Sequence, residues 1–110
     1  MKITEARHGH VLVLGVKGRL DVGTSKILEE KLLSVMGSGE THLVIDLSEL
    51  DYISSTGLQV LLLAAIRAKD SNRKMILSSL QHQVREVFDY AGFSSIFQIY
   101  PTQEEALDSP

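Results

Sequence analysis

The chain has 110 residues, 44% hydrophobic and 23% charged, with a formal net charge of -3, which predicts one ordinary domain with its own core and no room for a second. Zero cysteines exclude disulfides, thiolate catalysis and every cysteine-ligated metal or iron-sulfur site. Six basic and eight acidic residues in 1–55, then five and six in 56–110, leave no basic platform, so neither generic nucleic-acid binding nor an anionic-membrane anchor is supported.

No repeat or linker interrupts the sequence, so a single unit is expected over 1–110, with 108–110 frayed. Lys2 to Ala6 alternates weakly and predicts an edge strand. Val11 to Val16 is apolar on both faces and predicts an interior one, joined to the first by a hairpin turn at His8-Gly9-His10. The pattern breaks from Gly18 to Gly23. Helical spacing then begins near Thr24, with Thr24 or Ser25 expected as the cap and Gly37-Ser38-Gly39 as the stop.

Leu43 to Leu47 predicts a short strand. Gly57 to about Lys69 predicts a helix that is apolar nearly all round and therefore heavily buried. Lys74 to Leu77 predicts a strand, Gln81 to Ala91 an amphipathic helix stopped by Gly92, and Ile96 to Tyr100 a last strand. Thr102 and Glu105 have capping-box spacing at the head of a final helix. Strands alternating with helices imply an α/β fold: a mostly parallel, mixed central sheet of about five strands with about four helices.

The stretch from Val44 to Leu61 is the most informative. Ser54, Ser55 and Thr56 end a strand-loop segment and open the helix at Gly57. Hydroxyl oxygens there can cap free amides, and the same helix start tolerates a phosphate. Read alone, the cluster is caps and a tight turn. Asp21 reads as a turn or cap residue, and Asp46 as an acceptor for loop amides.

Other chemistries find no pattern. His8 and His10 have no third ligand at matching spacing, so no metal is expected. Walker and dinucleotide loops are absent, and Ile53 occupies the place where a nucleophile elbow would need Gly before Ser55. Hydroxyls without a base are not a catalytic site. Phe88, Tyr90, Phe93 and Phe97 are expected in the core, and Arg67, Lys69, Asp70, Arg73 and Lys74 as the solvated end of the second long helix.

Three segments together resemble the STAS domain, typified by bacterial anti-sigma factor antagonists. They are Asp46-Leu47-Ser48 with Ile53, the hydroxyl cluster and Gly57-Leu58; Gly18-Arg19-Leu20-Asp21 with Thr24; and Val84 to Phe93. The resemblance covers about residues 1 to 107. It implies a STAS-type fold and a non-enzymatic regulator that binds an anti-sigma factor serine kinase and is released when that kinase phosphorylates it. A serine phosphatase would then reset it.

By position the acceptor is Ser55, with Thr56 as second choice. Ser54 stands where phosphorylated members usually carry Asp. The implied partner-binding residues are Asp21, Thr24, Ser54, Ser55, Thr56 and Gly57. No cofactor is implied, since ATP belongs to the kinase. The expected location is the cytoplasm, with no membrane insertion and no direct nucleic-acid contact, because the longest apolar run, Val60 to Ile66, is too short for a span and Met1 to Glu5 lacks a signal peptide's apolar stretch. Two other readings remain: an unphosphorylated STAS scaffold in a signalling or transport assembly, and a small-ligand or nucleotide sensor.

Overall fold

The computed structural model describes residues 1–37 and 42–109. The elements run β1 (Lys2–His8), β2 (Val11–Leu20), α1 (Val22–Gly37), β3 (His42–Asp46), β4 (Leu50–Ile53), α2 (Ser55–Asp70), β5 (Met75–Ser78), α3 (His82–Tyr90), β6 (Gln98–Tyr100) and α4 (Gln103–Asp108). Six strands form one sheet in the order β1-β2-β3-β5-β6, with β4 beside β2. Only the β1–β2 pair is antiparallel. The mostly parallel, mixed sheet and the four helices are as expected.

The ten-residue β2 serves two neighbours in turn. Val11 to Gly15 pairs with β3, and Gly18 to Leu20 pairs with β4 across a register irregularity at Gly18/Arg19. Gly18 sits at φ +101, a conformation that costs a side-chain-bearing residue but not glycine. What reads as a break in the sequence is therefore a bend inside a strand. Helix α1 consequently starts at Val22, two residues before the expected start.

Strand β4 was not expected, since its segment reads as loop. Leu50 and Ile53 are buried, while Asp51 and Tyr52 between them are exposed. This inside-outside-outside-inside pattern lacks the alternation of a strand, and four residues are too few to establish a period.

Side chains alternate between the faces of the sheet. Leu12, Leu14, Val16, Ile45 and Leu77 join the large core under α1, α2 and α3, whereas Val11, Val13, Val44 and Ile76 meet Ala106 of α4 on the other face. Two-sided burial explains the continuous apolar runs of β2, β3 and β5. Phe88 and Phe97 meet edge to face at 5.6 Å between ring centroids, and Phe93 stacks obliquely on Phe97.

Two burial expectations need correction. Tyr90 is 96% exposed, because it ends α3 on the side away from Phe88. Helix α2 is buried through Gly57, Leu58, Val60, Leu61, Ala64 and Ala68, but Leu63 is 54% and Ile66 49% exposed. One flank of α2 therefore stays exposed among the described residues. Of the expected stop to α1, Gly37 closes the helix, while Ser38 and Gly39 lie outside the described residues, as does Pro110. Arg73 donates to the Met36 carbonyl near that end, 2.5 Å away, so it is tied to α1 as well as solvated.

Candidate functional site

Helices α1 and α2 both begin at the same end of the sheet, just beyond the paired ends of β2 and β4. In α1, Asp21 precedes the first helical residue. Its carboxylate accepts from the Thr24 backbone N–H at 3.0 Å, and the Thr24 hydroxyl accepts from the Asp21 backbone N–H at 2.9 Å. The two residues satisfy one another reciprocally, the arrangement of a capping box. The cap is thus Asp21 rather than Thr24 or Ser25, because the early helix start moves Thr24 to its third position. Ser25 is buried, with its hydroxyl donating to the Asp21 carbonyl at 2.5 Å.

These bonds favour the ionised carboxylate. The Thr24 amide, then the Thr24 hydroxyl, hold the Asp21 carboxyl below its ordinary value of 3.8, with smaller help from Gly23 and Arg19. The Arg19 guanidinium is 4.0 Å from that carboxylate and lies over the Tyr52 ring, 4.1 Å from its centroid. The exposed middle of β4 is thereby stacked against the exposed end of β2.

Helix α2 begins differently. Ser54 is its N-cap, in extended conformation, and its hydroxyl accepts from the Gly57 amide at 3.1 Å. The Ser54 amide donates to the Leu20 carbonyl of β2 at 2.9 Å. At Gly57 an added Cβ would stand 2.8 Å from Leu20 Cγ and 3.1 Å from Ile53 Cγ1. The first turn of α2 therefore sits directly on the β2 and β4 side chains, and only glycine fits at its third position.

Ser55 and Thr56 are the first two residues of this helix. Ser55 is exposed and Thr56 half-buried, and neither hydroxyl has a hydrogen-bond partner among the described residues. Their backbone amides have no intrahelical acceptor, since the ladder starts from Leu58 N–H to the Ser54 carbonyl. The two hydroxyls also lie on different sides of the α2 ridge. Ser55 borders a groove towards α3 with Leu58, Val87 and Tyr90, whereas Thr56 borders one towards α1 with Val22, Lys26 and Leu63.

The loop ahead of the cluster is held from α3. The Gln81 amide donates to the Ser48 carbonyl at 2.8 Å and to the Asp51 carboxylate at 3.4 Å, and Gln83 reaches the Asp51 carbonyl. Asp46 accepts from the Ser48 amide at 2.9 Å and from Gln103 of α4 at 2.7 Å, which is the acceptor role read from the sequence. It lies outside the hydroxyl cluster.

The structure thus gathers Asp21, Thr24, Ser54, Ser55, Thr56 and Gly57 at one end of the molecule. Arg19, Tyr52, Gln81 and Gln83 belong to the same end and were missed. Arg19 alone carries a signal in the sequence, as a cation beside Asp21. No group of three or more possible metal ligands occurs among the described residues, nor is any described helix long and apolar enough to cross a membrane.

Comparison with known proteins bears on the fold as a whole. The STAS domain family matches residues 2–106. A protein of Bordetella bronchiseptica named as an anti-sigma factor antagonist, BtrV, is 37% identical over 106 residues, covering 96% of this chain and 91% of its own. The anti-sigma-F factor antagonist RsfB of Mycobacterium tuberculosis is 30% identical over 105 residues, covering 96% and 85%. The crystal structure of an anti-sigma factor antagonist from Mycobacterium paratuberculosis superposes with a TM-score of 0.90 at 26% identity, covering 98% of this chain and 92% of that one.

Proposed function

The chain belongs to the STAS domain family, and on that premise we propose that it is a non-enzymatic anti-sigma factor antagonist whose docking is switched by phosphate on Ser55. The observation that carries this reading is the division of labour in the hydroxyl cluster. Ser54 is spent on the cap, while Ser55 is exposed with no partner for its hydroxyl among the described residues. A modifying enzyme can reach Ser55 without dismantling the helix start.

The unmodified chain binds an anti-sigma factor serine kinase through the surface around Asp21, Thr24, Ser54, Ser55, Thr56 and Gly57, which frees the sigma factor. The kinase transfers the γ-phosphoryl group of its bound ATP to the Ser55 hydroxyl oxygen, with ADP and the hydroxyl proton released. That group adds about -1.5 to -2 charges to a surface already carrying Asp21 and Asp51. Docking is lost through repulsion and the cost of desolvating the new charge. The fold is retained, because a negative charge at a helix start is favourable by about 0.3–1 kcal/mol when exposed. A serine phosphatase restores the docking form, and the circuit operates in the cytoplasm.

The test is calorimetric titration of the purified chain with the anti-sigma factor kinase of its own organism. Ser55→Ala binds within about threefold of wild type, and Ser55→Asp binds at least about tenfold more weakly, equivalent to about 1.4 kcal/mol. Equal affinity for wild type and Ser55→Asp overturns the switch.

A further inference from the structure

Helix α2 presents its first two hydroxyls to different flanks, and only the flank of Ser55 leads to a groove with an aromatic ring on its wall. Residues three, four and seven apart share a helix face. Thr56 accordingly falls in line with Gln59, Val60 and Leu63 towards α1, and Ser55 with Leu58 towards α3. Across from Ser55 and Leu58, helix α3 supplies Gln83, Glu86, Val87, Tyr90 and Ala91, a spacing that makes one continuous stripe. This stripe is distinct from the one that faces the core, Val84 and Phe88. A second, solvent-facing stripe of α3 thus lies beside the acceptor serine.

Three features of the groove point to its occupant. Its walls are apolar: Leu58 is buried, Val87 half-buried and Tyr90 96% exposed. A solvated helix end has no need of an exposed aromatic ring, and such rings are enriched at the centres of protein interfaces. Its charge is negative. Glu86 is the one charged residue in its lining, with His82 at 3.5 Å, and Gln83 reaches from the groove to the backbone of Asp51. No Lys or Arg lines it among the described residues, and Arg85 of α3 is engaged with Asp89 at 3.3 Å. The third feature is Ser55 itself. Transfer of the γ-phosphoryl group of ATP to Ser55 Oγ, with ADP and the hydroxyl proton released, requires the kinase's surface to lie across that side of α2, and this groove is what it would cover.

We infer that the α2–α3 groove is the seat of the anti-sigma factor kinase, which fills it with an apolar side chain flanked by a Lys or Arg, and that docking on this side selects Ser55 over Thr56. The inference rests on the kinase reading and gives that reading its contact surface. An apolar side chain entering between Leu58, Val87 and Tyr90 is held by burial, and the cation beside it meets Glu86. A kinase seated here has Ser55 beneath it. Thr56 is half-buried on the other side of the α2 ridge, out of line with the transfer. Phosphate on Ser55 then puts a strongly hydrated group at the edge of an apolar seat, which closes it to the kinase.

The test is calorimetric titration of the full chain with the anti-sigma factor kinase of its own organism, followed by treatment with kinase and ATP and phosphosite mapping by mass spectrometry. Tyr90→Ala binds about tenfold more weakly than wild type and Tyr90→Phe within about threefold, because the ring rather than the hydroxyl makes the wall. Glu86→Lys weakens binding about tenfold by setting cation against cation. Leu63→Arg, on the α1 flank, binds within about threefold of wild type. All three positions are exposed, and circular dichroism verifies that each variant is folded. Wild type takes phosphate on Ser55, and Ser55→Ala takes none on Thr56. If Tyr90→Ala and Glu86→Lys bind like wild type while Ser55→Asp is weakened, the groove is overturned and the kinase reading stands. Equal binding by Ser55→Asp and wild type overturns the reading itself. Lost binding in Leu63→Arg with Tyr90→Ala unaffected moves the seat to the α1 flank, and phosphate on Thr56 in either chain overturns the selection.

Discussion

The two helix starts at the switch end meet the same need, satisfying free amides, with different chemistry. At α1, position three is Thr24, which closes a reciprocal box with Asp21 and leaves both polar side chains occupied. At α2, position three is Gly57, pressed against Leu20 and Ile53, so no reciprocal side chain is available there. The Ser54 amide turns instead to the Leu20 carbonyl. Packing therefore removes half of the box at α2 and leaves the following hydroxyls, Ser55 and Thr56, without structural duty. A helix start anchored by the strand beside it can expose a modifiable serine at little cost in stability.

The comparison breaks most severely at Gly57. Gly57→Val lodges a branched side chain where even a Cβ is 2.8 Å from Leu20 Cγ, and a loss of about 3 kcal/mol in urea unfolding is expected. A smaller loss would mean that α2 can lift off β2. Next, Ser54→Ala removes a cap whose backbone remains anchored, for about 1 kcal/mol. Ser55→Ala should cost less than about 0.5 kcal/mol, which separates the structural hydroxyl from the available one.

Acid titration sharpens the α1 side. The Asp21 carboxyl is held below 3.8 by Thr24, so the stability it contributes is present above 3.8 and is lost as pH falls through the lower folded value. The Asp89 carboxyl is likewise lowered by Ser94 and then Arg85, with the same sign. Thermal unfolding of Asp21→Asn between about pH 2 and pH 5 should therefore be flatter than wild type without becoming pH-independent.

Much of this architecture was legible in the sequence because it rests on period and punctuation. The two-faced runs of β2, β3 and β5, the capping pair Thr102 and Glu105, and Gly92 after α3 each state their role locally. The Thr102 hydroxyl does accept from the Glu105 amide, and Gly92 has φ +77. The bend at Gly18 and strand β4 were hidden because both depend on where β2 changes neighbours, a tertiary fact. Leu50 and Ile53 face inward around two exposed residues only because β4 lies beside that bend.

At the site, the residues that meet there were legible, but their duties were not. Sequence placed Ser54, Ser55 and Thr56 at a helix start without separating cap from free hydroxyl, since that depends on whether the helix begins at Ser55 or Gly57. The exposure of Leu63 and Ile66 was hidden for a related reason. A helix apolar all round looks the same in sequence whether its last flank meets its own sheet or stays exposed.

The most direct test of the switch is phosphosite mass spectrometry on the native chain from host cells in growth and in stress. A phosphate on Ser55 that varies with condition, with Ser54 never modified, is the predicted result. A hydroxyl cluster unmodified in every condition, or a phosphate on Ser54, would contradict the division of labour on which the account rests.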